Sequence, residues 1–175
     1  MRALTRAAIV AMILCVTAGA DEHIVLIDKD ADFSAHSFTL VDVGVSSRRP
    51  ELNGSPVMSS IADAIRRTFV GRGYGERQAP SDLLVEYSLH GVDFNVGPFG
   101  RVSAISAQPA GRRGQPASPT FDFTEATLVI DVKRTSSQAL LWRGVYRIAE
   151  NDTQKLMDAL PKNAARLVSE YPRAK

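Results

Sequence analysis

Cysteine is nearly absent from this chain. The one cysteine among 175 residues is Cys15, which lies inside an apolar N-terminal run. Beyond that run no thiol is available, so a disulfide framework, thiol catalysis and a cysteine-held metal are all excluded from the body of the chain. Aromatic residues make up only 7% of the sequence, with a single tryptophan. No aromatic ladder accompanies the cations, as binding of single-stranded nucleic acid would require. No apolar run reaches the roughly 20 residues that cross a bilayer as a helix.

An excess of either charge sign is also lacking once the N-terminus is set aside. Residues 1–20 open on Arg2 and Arg6, continue through apolar residues from Ala7 to Val16, and end on Ala18-Gly19-Ala20. A positive start, a short apolar run and small residues before a cut describe a secretory signal peptide, with cleavage expected near Ala20. Cleavage takes both arginines and leaves 19 basic residues against 19 acidic ones. The positive total is therefore an export signal and predicts no nucleic-acid partner. The expected location is periplasmic or secreted. The alternative is a membrane anchor through a lipidated Cys15, although Leu14 stands where a lipoprotein signal wants a small residue.

What remains, residues 21–175, has the composition of one globular domain: 45% of the whole sequence is hydrophobic and 23% charged. Its clearest pattern runs from Phe121 to Glu150. Ala126, Leu128, Ile130 and Val132 alternate with Thr127, Val129, Asp131 and Lys133; Leu140, Trp142, Tyr146 and Ile148 alternate with Leu141, Arg143, Val145 and Arg147. A period of two places each row on one face of a sheet, and the polar KRTSSQ between them reads as a hairpin turn. The expected register sets Val132 opposite Leu140, Ile130 opposite Trp142 and Leu128 opposite Gly144. Phe121 and Phe123 are out of step with the apolar row, which predicts a bulge near Thr124–Ala126 or a second cluster.

In chain order, DEHIVLID predicts a first strand, and SFTLVDV an extended segment that continues or re-enters the sheet. A loop with Pro50, Asn53, Gly54 and Pro56 precedes a helix whose apolar face is Met58, Ile61, Ile65 and Phe69, stopped at Gly71 and Gly73. Leu83, Val85, Tyr87 and Leu89 mark another strand, with His90 on its more polar face. After the hairpin, Asn151, Asp152 or Thr153 caps a helix with the stripe Leu156, Leu160, Ala164, Leu167, Val168 and Tyr171. Pro161 either kinks that helix or starts a second one. Two helices, each with one apolar stripe, and a largely antiparallel sheet predict an α+β two-layer sandwich with both helices on one face. The other face is expected to carry Glu86, Ser88, Asp131, Arg143 and Arg147 among Val129, Leu141 and Val145.

Two apparent motifs fail on inspection. Asp28, Asp30 and Asp32 have calcium-loop spacing, but Phe33 and Thr39 stand where the loop needs its glycine and its glutamate. GRGYG closes a helix, whereas phosphate-cradling loops open one. No metal site or cofactor is expected. Neither G-x-S-x-G nor H-E-x-x-H is present, so the chain reads as a non-enzymatic binding or structural protein. The alternative, a periplasmic hydrolase of envelope material, has only Glu86, His90 and Asp131 to offer for acid–base chemistry.

The segment 95–120 is rich in Gly, Pro, Ser and Ala and has no acidic residue. Unstructured loops beyond about 12–15 residues are uncommon in compact domains. Its Arg101, Arg112 and Arg113 are the candidate binding residues, for an anionic envelope component or another envelope protein. The bland reading of the segment is a tolerated flexible insertion.

The blocks ADFSAHSFTLVD, IADAIRRTFVGRGY, SDLLVEYSLHG, FTEATLVIDV, ALLWRGV and LVSEYP, in that order, resemble a bacterial envelope family, domain of unknown function four-one-three-six. TLVID followed by LLWRG is the most specific pair. Members often carry glycine where Ala126 stands and an aspartate near Lys133, and many look like lipoproteins. The resemblance implies an α+β fold in the cell envelope and brings no established site residues with it.

Overall fold

The computed structural model describes residues 22–28, 31–47, 49–96, 102–104 and 121–174. The elements follow as β1 (Glu22–Ile27), β2 (Ser37–Ser46), α1 (Ser55–Gly71), β3 (Gly75–Glu76), β4 (Leu83–Val96), β5 (Val102–Ala104), β6 (Phe121–Arg134), β7 (Leu140–Glu150) and α2 (Thr153–Val168). Residues 1–20, with Cys15 and the signal-peptide cut, lie outside the described residues, as do Arg101, Arg112 and Arg113.

One seven-stranded sheet runs β1-β7-β6-β4-β2-β3, with β5 added to the far end of β4. The expected α+β sandwich is what forms. Most pairs are antiparallel, but β2 lies parallel to β4 and to β3. A parallel neighbour needs a crossover, and α1 supplies it, so β2 re-enters the sheet beside β4.

Alternation decides what is buried. Ala126, Leu128, Ile130 and Val132 of β6 and Leu83, Val85, Tyr87 and Leu89 of β4 all turn to one side and are buried. Met58, Ile61, Ile65 and Phe69 of α1 meet them there, with Leu156, Leu160, Ala164, Leu167 and Val168 of α2. At the C-terminal ends of the helices Phe38 stacks on Phe69 at 5.0 Å, and Trp142 meets Tyr171 edge-on at 6.0 Å. Burial holds the Tyr171 phenol well above its ordinary pKa and raises that of Tyr74.

Both helix ends carry the chemistry their sequences imply. The Asp152 carboxylate caps α2 by accepting the N–H groups of Gln154 and Lys155. At the end of α1, the N–H of Tyr74 reaches back to the Phe69 carbonyl, and Gly73 adopts a φ of +96°. GRGYG is thus a helix stop. Pro161 sits within one continuous α2.

Three expectations are corrected. The hairpin register is shifted by two: Val132 faces Trp142, Ile130 faces Gly144 and Leu128 faces Tyr146. The turn closes on Arg134 and Ala139, which accounts for one position, and a bulge beyond Val132, whose extra residue is Leu141, accounts for the other. The bulge also reverses the local alternation, so Leu141 is buried and Leu140 is 39% exposed. No bulge interrupts β6 near Thr124–Ala126; its pairing with β4 runs unbroken from Phe121 to Arg134. Part of the presumed arm is strand, because β4 runs through Val96 and Val102–Ala104 pairs back onto it.

Candidate interaction face

The sheet surface away from the helices is built by the odd positions of β6 and β7 and the even positions of β1 and β4. Register brings residues from distant parts of the sequence into rows across the strands. One row is Leu26, Arg143, Asp131, Glu86 and Val41. The next is Ile24, Val145, Val129, Ser88 and Gly44. A third holds Glu22, Arg147, Thr127, His90 and Ser46.

Cations and carboxylates on this face are matched to one another. Arg143 donates from Nε and Nη2 to the two carboxylate oxygens of Asp131, both at 2.6 Å. Such a fork is the strong form of the contact, and the Asp131 bond raises the Arg143 pKa. The Lys133 ammonium meets Glu86 at 2.5 Å. Arg147 bridges Glu22 at 3.1 Å and Glu125 at 3.3 Å. Together these contacts stitch β4, β6, β7 and β1 laterally, across a surface that also carries apolar side chains. Leu26 is 53% exposed and Val41 is 36% exposed, while Ile24, Val129 and Val145 are partly covered.

The acid–base candidates do not converge on a reacting centre. Glu86 and Asp131 lie on the same face, as expected, but each is engaged by a cation. His90 is exposed, with Nε2 3.4 Å from the Ser88 hydroxyl. Among the described residues, no group of three or more His, Cys, Asp or Glu side chains is placed to hold a metal ion. A hollow of about 650 Å³ at the end of the sheet is lined by Val45, Ser46, Ser47, Asn53, Gly91, Val92 and Asp93. Its Asp93 carboxylate accepts from Arg49 and from the Thr124 hydroxyl, each at 2.7 Å, and Arg49 reaches on to Thr153. That network ties the loop before α1 to the start of α2.

Sequence reasoning put Glu86, Ser88, Val129, Asp131, Arg143, Val145 and Arg147 on this face; it also put Leu141 here, which the bulge turns into the core. It missed Glu22, Ile24, Leu26 and Glu125. The parity of β1 and of the upper part of β6 was legible; the pairing of β1 with β7, which brings the former alongside, was not.

The comparisons agree with this architecture. A family profile, Domain of unknown function (DUF4136), matches residues 26–173. The chain belongs to that family. No curated protein matches it by sequence. Among solved structures it is similar to the PelC dodecamer from Paraburkholderia phytofirmans, at 7% identity and a TM-score of 0.52, covering 89% of this chain and 99% of that one. It is also similar to a PDZ domain protein from Parabacteroides distasonis, at 13% identity and a TM-score of 0.50, covering 90% of this chain and 38% of that one. At these identities the likeness is one of fold.

Proposed function

We propose that this member of the DUF4136 family is an exported, non-enzymatic accessory protein of the bacterial envelope that docks a partner protein on its open sheet face. The observation that carries the reading is the lateral matching of charges there. Glu86–Lys133, Asp131–Arg143 and Glu22–Arg147–Glu125 hold the side chains in fixed positions across four strands. A surface with exposed apolar groups and ordered polar side chains loses little conformational entropy when covered, which favours docking of another macromolecule. The signal-like residues 1–20 support export. The segment with Arg101, Arg112 and Arg113 has a secondary place in this reading, as a cationic arm that steers an anionic partner.

The hydrolase reading has less behind it, because its carboxylates are committed to cations and His90 stands on an open surface. The test is site-specific photo-cross-linking in cells. A photoreactive residue at Val129 or Val145 is expected to capture a discrete partner, and one at Ser59 on the outer side of α1 is expected to capture none. Capture from Ser59 alone would place the interface on the helix layer and contradict the proposal.

A further inference from the structure

The two edges of the sheet are not alike. The β2 edge is blunted: β3 covers its start, and a bulge between Asp42 and Gly44 breaks its line. The Asp42 carboxylate closes that bulge on the Gly44 N–H at 2.8 Å, and Gly44 takes a φ of +119°. Interruptions of this kind keep an edge from being extended. The β1 edge carries none of them. It is straight in register from Glu22 to Ile27 and holds Ile24, Val25, Leu26 and Ile27 in succession. Leu26 and Ile27 are 53% and 45% exposed.

The backbone direction of β1 follows from one bond. The Asp28 N–H donates to the Leu141 carbonyl at 3.0 Å, in line with the β1–β7 register. In an antiparallel ladder the bonded positions alternate. Glu22, Ile24 and Leu26 therefore spend their backbone groups on β7. His23, Val25 and Ile27 turn theirs outward, and among the described residues no strand meets them.

We infer that β1 pairs with β1 of a second copy of this chain, antiparallel, with the two-fold axis at Val25. Val25 then exchanges both backbone bonds with its own counterpart, and His23 exchanges both with Ile27 of the other copy. This register satisfies all the outward groups of the strand. On the open face it sets Ile24 against Leu26, covering the side chain that stands most exposed in β1. On the helix side His23 stays held, through Nε2, by Glu170 at 2.8 Å. An isologous contact of this kind closes on itself and joins two sheets into one. Its weak point is at the rim, where Glu22 of one copy meets Asp28 of the other. Both are at the surface, so salt screens their repulsion. This contact is separate from the partner proposed for the open face, and each can fail without the other.

The experiment is sedimentation of the purified chain over a wide concentration range, with two variants. Val25→Pro removes an outward N–H and no bond to β7, and proline is tolerated on an edge strand when its nitrogen faces solvent. The parent chain is expected to dimerise, and Val25→Pro to weaken dimerisation at least tenfold with its far-UV spectrum unchanged. Val25→Cys in a Cys15→Ser background is expected to form a disulfide-linked dimer on mild oxidation, and this holds as a test even if the proline variant folds poorly. A parent that stays monomeric throughout, or a dimer untouched by Val25→Pro, overturns the inference. So does cross-linking of Val25→Cys to Val43→Cys chains in preference to itself, which would mean an open-ended β1-to-β2 contact.

Discussion

Asp82 Oδ2 accepts the backbone N–H groups of His36 and Ser37, each at 3.0 Å, and the Ser37 hydroxyl at 2.8 Å. Those bonds, first the one from His36, hold its carboxyl below the usual carboxylate range. They pin the start of β2 to the start of β4, where the parallel pair begins. Because the folded carboxyl is the more acidic one, its stabilisation is present above the unfolded pKa, ~3.9. It is lost as pH falls through the lower folded value. Asp82→Asn is expected to cost about 1 kcal/mol at neutral pH, near the low end for charge-assisted bonds because the group is exposed. In urea denaturation that gap should close in acid; a gap independent of pH would mean that charge plays no part. Arg143 is the complementary case. Its partner Asp131 is buried, with a side chain only 12% exposed. Arg143→Met strands that carboxylate, and about 2 kcal/mol of stability should be lost. Adding Asp131→Asn should recover part of it, as thermal unfolding of the single and double variants would read out. No recovery would show that the arginine acts through packing alone.

At the scale of elements, the hairpin shows how far sequence reasoning reaches. The parity of β6 and of most of β7 was legible because alternation is a local property. The register was not, because the turn closes on Arg134 and Ala139 and one extra residue, Leu141, follows it; each slides the strands by one position, and the two together leave Trp142, Tyr146 and Ile148 on the face their alternation predicts. Periodicity cannot detect such a slide. Pairing a bulky side chain with Gly144 was sound in kind but mistaken in geometry. Trp142 lies along its own strand, and a Cβ on Gly144 would stand 2.3 Å from the end of the indole ring. The ring is fully buried and packed on Tyr171, so it cannot swing away. Gly144→Ala is expected to cost about 1–3 kcal/mol, the range for overpacking. Calorimetry checks this, and an unchanged Tm would mean that the indole has room to move. The parallel β2–β4 pair was also out of reach of periodicity. Nothing in SFTLVDV distinguishes a parallel neighbour from an antiparallel one; the crossover through α1 does.

For the whole molecule, the layers and the buried faces were readable, since each helix showed one apolar stripe and each main strand one apolar row. The open face was readable only in part. Its residues come from β1, β4, β6 and β7, and their grouping depends on strand order, which is a global property. The charged residues there looked like ordinary solvated surface because their partners lie between 12 and 125 positions away in sequence. On the reading proposed above, this face, and not the helix layer, receives a partner. The most direct measurement is in-cell photo-cross-linking at Val145 compared with Ser59, in the intact chain and in one carrying Arg101→Ala and lacking residues 105–118. One partner band from Val145 is expected in both chains, weaker without the arm, and none from Ser59. A band from Ser59 with none from Val145 would contradict that reading.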